Sequence, residues 1–194
     1  MKQNNPIGFR FSKQNAWKFF LLVAFPIHLW ALILWFLDFE TVAQRTNTWD
    51  AVGEGSYFLI FAFFESVVIF SVLSLLLLLL PKRTEENKVY QVASTLYLII
   101  ASWFILEQAR FLPFLPEDNW LIKRLQLANS LRSNTGKALA IGFLSSVILS
   151  SYLVIRYAKL GKAISSLSER IGTLSILYLS LDLFGLLFVI FRNV

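Results

Sequence analysis

The residues able to do chemistry in this chain are few and far apart. The single histidine, His28, and the acids Glu65, Glu107 and Asp182 each interrupt an otherwise apolar stretch, with Arg110 three residues beyond Glu107. An imidazole near a carboxylate can exchange a proton or a hydrogen bond. One histidine and two carboxylates are also acceptable metal-ligand types, yet no pair at i,i+3 or i,i+4 supports a metal site. Neither a metal nor a cofactor is expected. Serine hydrolysis with His28 as base lacks a GxSxG elbow. With no cysteine in the chain, disulfides, thiolate metal sites and thiol nucleophiles are excluded. A single histidine excludes bis-histidine haem ligation and an HExxH metalloprotease. No catalytic residue is assigned.

What makes these groups notable is where they stand. Hydrophobic residues make up 57% of the 194 and charged residues only 15%, against about 25% charged in a soluble domain. The composition, with 19 Phe and 6 Trp, is that of an integral membrane protein. A helix crossing ~30 Å of hydrocarbon needs about 20 apolar residues. Five stretches satisfy this, at residues 17–37, 57–80, 91–112, 138–157 and 171–191. The first is too long for a signal-peptide core, and Asp38 and Glu40 separate it from the cleavage-like Thr41-Val42-Ala43. The expected fold is an all-α bundle of five transmembrane helices in one membrane domain, 1–194. One short amphipathic helix, residues 118–132, lies in the interface: Leu121, Leu125, Ala128 and Leu131 share a face and Lys123, Gln126 and Ser130 oppose it.

Orientation follows from the 18 Lys and Arg residues. Lys2, Arg10, Lys13, Lys18, Lys82, Arg83, Lys88, Arg156, Lys159, Lys162 and Arg170 fall on one side. The other side holds Arg45, Arg110, Lys123, Arg124, Arg132, Lys137 and Arg192. The positive-inside bias places the N-terminus in the cytoplasm and the C-terminus outside, in the plasma membrane. The net charge of +6 belongs to this pattern, so no nucleic-acid partner is implied. The segment Asp38 to Ser56 is read as a solvated outer loop, since its four carboxylates lack calcium-loop spacing. Segments outside the bilayer are too short for a separate core.

Two stripes of small residues suggest close helix contacts. Ala138, Gly142, Ser146 and Ser150 recur every four residues in the fourth span. Gly172, Ser175, Asp182 and Gly185 line the fifth, and the short connection favours the two stripes facing each other. Against the middle of each span, His28 and Asp182 are central. Glu65 stands about 5 Å outward, Glu107 about 8 Å and Arg110 about 13 Å. None lies clearly in the inner half, which suggests a polar pocket open outward. Lys123, Arg124 and Arg132 would draw an anionic lipid or substrate towards it.

The expected function is that of a non-enzymatic subunit or accessory protein of a membrane complex. Its partners are the lipid bilayer together with another membrane subunit or an anionic lipid. A small carrier of a proton, ion or lipid-like substrate is the alternative, and an intramembrane enzyme acting on lipid head groups a further one.

Overall fold

A computed structural model describes residues 11–78, 84–109 and 134–193, and every regular element among them is an α-helix. These are α1 (Lys13–Arg45), α2 (Thr48–Leu78), α3 (Glu86–Ala109), α4 (Asn134–Arg156) and α5 (Ala158–Asn193). All five are long and apolar enough to cross a membrane, so the chain is a helical membrane protein. The expected interfacial helix at 118–132 falls outside the described residues, as do Arg110, Lys123, Arg124 and Arg132.

The helices outrun the apolar stretches that announce them. The expected outer loop, Asp38 to Ser56, is helical except for Thr46 and Asn47, because α1 continues to Arg45 and α2 begins at Thr48. Asn47 makes so sharp a turn possible. Its carbonyl Oδ1 accepts the Asp50 N–H (2.9 Å) and its amide donates to the Asp50 carboxylate (2.7 Å), capping α2 reciprocally. At the other junction α4 and α5 are parted by Tyr157 alone, whose carbonyl accepts the N–H groups of Leu160 and Gly161. Hydropathy marks the part of a helix that meets lipid; caps and breaks mark its ends.

The chain divides into two units, Met1–Tyr90 with Ala163–Val194, and Gln91–Lys162. In the first, residue pairings fix the directions of the helices. Phe20 meets Phe63 and Phe70, whereas Trp35 reaches Ala51, so α1 and α2 are antiparallel. Lys18 pairs with Glu169, the Ser175 hydroxyl donates to the Leu21 carbonyl and His28 meets Asp182, so α1 and α5 are parallel. Gly185 lies on Ser56 and Arg192 pairs with Asp50, which makes α2 and α5 antiparallel.

α1 is therefore packed from both sides. Its Phe19, Leu22, Val23 and Ala24 are almost fully buried. The N-terminal turn is closed by Glu86, whose carboxylate accepts the Ser12 N–H (2.6 Å) and the Asn15 amide (2.7 Å). A carboxylate there satisfies orphan donors and suits the positive end of the helix.

In the second unit, α3 and α4 meet through Trp103. Its indole N–H donates to the Ser146 hydroxyl (3.1 Å), and the ring meets Phe143 edge-on. A Cβ on Gly142 would sit 3.5 Å from that indole. The Gly142–Ser146 stripe thus receives Trp103 of α3, while Gly172 and Gly185 of the α5 stripe receive Leu21 of α1 and Ser56 of α2. Gly142, Gly172 and Gly185 are matched to a ring, a leucine and a backbone within their own units. Of the fourth-span stripe, Ala138 is exposed and Ser150 half-buried, with the Ser150 hydroxyl turned to its own helix at the Ser146 carbonyl.

Elsewhere the bundle is apolar outwards, with Phe36, Phe61, Ile148 and Phe191 among its exposed side chains. Lipid, not water, is the solvent such a surface needs.

The approach of a ring to α2 yields a discriminating pair of substitutions. A Cβ on Gly55 would fall inside the Trp35 indole, while one on Gly172 would stand 3.5 Å from Leu21, an ordinary contact. Gly55→Ala should lower stability in detergent by about 1–3 kcal/mol, as overpacking does, and Gly172→Ala should have little effect. Thermal unfolding of the two variants checks this; equal melting temperatures would contradict the contact.

Candidate functional site

Pro26 stands in α1 two residues before His28. A proline inside a helix offers no N–H to the carbonyl four residues back, and its ring crowds that group. Helix α1 nevertheless runs through Pro26, and side chains supply donors to carbonyls around it. The Ser175 hydroxyl donates to the Leu21 carbonyl at 2.6 Å. His28 Nδ1 stands 2.8 Å from the Ala24 carbonyl.

A carbonyl oxygen only accepts, so Nδ1 carries a proton and donates it. His28 Nε2 is then left for α5, where it lies 2.9 Å from Asp182 Oδ2. Two arrangements fit that distance: an imidazolium N–H donating to a carboxylate, or a carboxylic O–H donating to the bare nitrogen of a neutral ring. Either way one proton lies between them, and the pair carries no net charge. His28 is wholly buried and Asp182 is 8% exposed. The Tyr178 ring lies parallel to the imidazole, with centroids 6.3 Å apart, and Phe25 packs against Tyr178 in turn. The site is thus walled by α1 and α5. Asp182 Oδ1 is the exception: it is buried with no hydrogen-bond partner.

Depth can be read from the ion pairs that frame the unit. Lys18–Glu169 (2.6 Å) joins α1 to α5 at one end, and Asp50–Arg192 joins α2 to α5 at the other. The stretch of α5 between them is about 35 Å long, close to a ~30 Å hydrocarbon core with its margins. Asp182 falls near the middle. An unpaired charge would be most costly there, which is why both partners are needed.

Five pocket residues are expected, and the structure describes four of them. His28 and Asp182 come together. Glu65 is exposed on α2, and Glu107 is exposed near the end of α3; Arg110 lies outside the described residues. Glu65 also changes depth. The pairings above set residue 65 level with about residue 23 of α1 and 176 of α5. That is about 7 Å from the His28 level, towards the Lys18–Glu169 end rather than the opposite one.

α2 contributes a small-residue face that the two sequence stripes do not include. Ala51, Gly55, Leu59, Ala62 and Ser66 are all buried at spacings of four, four, three and four. The signal was present, but Ala51 and Gly55 fall in the segment read as a loop. Gly55 lets the Trp35 indole lie on α2 and donate its N–H to the Ala51 carbonyl at 2.8 Å. Among the described residues, no three His, Cys, Asp or Glu side chains converge as a metal site.

Set against known protein families, curated proteins and solved structures, the chain matches none.

Removing one member of a buried pair strands the other, at a cost of about 3–5 kcal/mol. His28→Leu and Asp182→Leu should each lose stability on that scale. The double variant should lose much less than the sum, because no polar group is left unpaired. A thermodynamic cycle from denaturant unfolding in detergent measures the coupling, and additive losses would contradict a direct pair.

Proposed function

We infer that the chain is a non-enzymatic subunit or accessory protein of a membrane complex. The observation that carries this reading is the closure of the His28–Asp182 pair. Catalysis needs a titratable group within reach of the reactant, and here both ring nitrogens are engaged and the imidazole is wholly buried. The pair joins two helices at mid-membrane. Among the described residues, the exposed apolar helix faces are what a partner or a lipid meets.

A second reading, a small carrier of a proton, ion or lipid-like substrate, is favoured by one observation. Asp182 Oδ1 is buried without a donor, beside an oxygen and a nitrogen that share a proton. An enzyme acting on lipid head groups, or recruitment of an anionic lipid, would draw on Lys123, Arg124 and Arg132, which lie outside the described residues.

The proposed setting is the plasma membrane, with the N-terminus cytoplasmic and the C-terminus outside. It rests on the Lys and Arg asymmetry, and the parallel run of α1 and α5 agrees with ends on opposite sides. A reporter fused after Val194 should read as external and one inserted at Glu86 as cytoplasmic. Native mass spectrometry of the chain extracted in mild detergent tests the function. A stoichiometric second protein is expected; the chain alone with a retained lipid or small molecule would overturn the subunit reading in favour of the carrier.

A further inference from the structure

Glu65 is the ionisable group of the transmembrane region that the first unit does not use. It is exposed, while the buried face of α2 runs through Ala51, Gly55, Leu59, Ala62 and Ser66. Its depth, level with about residue 176 of α5, sets it about 10 Å inside the Lys18–Glu169 layer, beyond what two methylenes can span to reach water. A charged side chain facing lipid there costs at least ~2.5 kcal/mol.

Its neighbours on that face form a regular seam. Phe61, Glu65, Val68, Val72 and Leu75 are spaced four, three, four and three, and the four apolar members are 65%, 60%, 50% and 64% exposed. That alternation keeps one stripe facing a neighbouring helix at the shallow left-handed crossing common in membrane bundles. A single polar residue in such a seam fixes register and partner choice. Glu65 occupies that place.

Charge decides the occupant. A second copy of the chain docked through the same seam would bring Glu65 to Glu65, two carboxyl groups that can share a dry site only when one carries a proton, whereas a cation pairs with the carboxylate directly. Nor do the described residues of the first unit offer a free cation at that level. Lys18 is paired with Glu169, Arg170 of α5 stands about 9 Å away along the helix, and His28 is engaged with Ala24 and Asp182.

We propose that the exposed α2 seam from Phe61 to Leu75 docks a transmembrane helix of a different polypeptide, which sets a Lys or Arg side chain against Glu65. The proposal rests on the subunit reading and gives the partner its chemistry: an apolar helix with one cation some two turns inside the interface. The Glu65 carboxylate and that cation satisfy each other, and the flanking Phe61, Val68 and Val72 shield them from lipid and water.

The test uses the full chain in cell membranes, with a photocrosslinking amino acid at Phe61 or Val68 and a control at exposed Ile148 of α4. Both seam positions should capture one polypeptide with a Lys or Arg inside an apolar span, and Ile148 should not. Glu65→Gln should reduce capture about tenfold or more, as truncating a buried charge pair does. Glu65→Lys combined with Glu in place of the partner's cation should restore it. Glu65→Leu, whose isolated melting temperature should not fall, checks that the fold is intact.

Capture of a second copy, of a polypeptide with no cation in its span, or of one indifferent to Glu65→Gln overturns the proposal. No capture at the seam, with a stoichiometric protein still present in the native preparation, overturns the seam and leaves the subunit reading. No protein partner in either experiment overturns both.

Discussion

A hydrogen bond between an imidazole and a carboxyl group in the middle of the hydrocarbon is the constraint on which the first unit turns. Hydrocarbon gives helices little reason to associate, since lipid tails are as apolar as leucine. It does penalise any polar group left without a partner. Asp182 of α5 satisfies the Nε2 of His28 at the same depth, a contact that sets depth, while a second one is needed to set direction. The Ser175 hydroxyl on the Leu21 carbonyl, two turns away, is that second contact. Together they fix register, direction and rotation of α5 with two polar contacts on one helix face.

Further interhelical polar contacts of that unit stand at its ends. Lys18–Glu169, Asp50–Arg192 and the Glu86 carboxylate at the start of α1 are at or near the surface. Exposed pairs of this kind contribute about 0–1 kcal/mol each, so they trim the ends rather than hold the bundle. Between them the packing is aromatic and small-residue: Phe19 and Phe20 on Phe70, Trp35 over Gly55, Gly185 on the Ser56 backbone. Van der Waals contact of this closeness supplies the association that lipid does not. Within the first unit His28 and Asp182 satisfy each other, with Asp182 Oδ1 left over, and on α2 Glu65 interrupts an exposed apolar stripe.

Much of this was legible in the sequence, for physical reasons that differ by residue. The five apolar stretches were visible because crossing lipid imposes a length and a composition at once. His28 and Asp182 stood out because the bilayer tolerates few such residues, and both fell at the middle of a span. Their meeting was not legible, since depth along two helices says nothing about rotation around them; Pro26, Ser175 and Tyr178 settle that. The run from Asp38 to Ser56 was misread because its four acids suggest water, and water is compatible with helix as well as loop. Asn47 and Asp50, a capping pair, were the available sign that a helix begins there. Glu65 is expected in a pocket from its chemistry and its depth, neither of which says whether it faces inward; in the structure it is exposed while Ala62 is buried.

Because His28 is the only histidine, labelling the chain with nitrogen-15 histidine gives a spectrum of this one ring. The ring-nitrogen resonances of the labelled protein in lipid bilayers therefore report the pair directly. A protonated Nδ1, together with an Nε2 signal that moves when Asp182 is replaced by Asn, is the predicted result. An unprotonated Nδ1, or an Nε2 signal indifferent to Asp182→Asn, would contradict a joint between α1 and α5 at this residue.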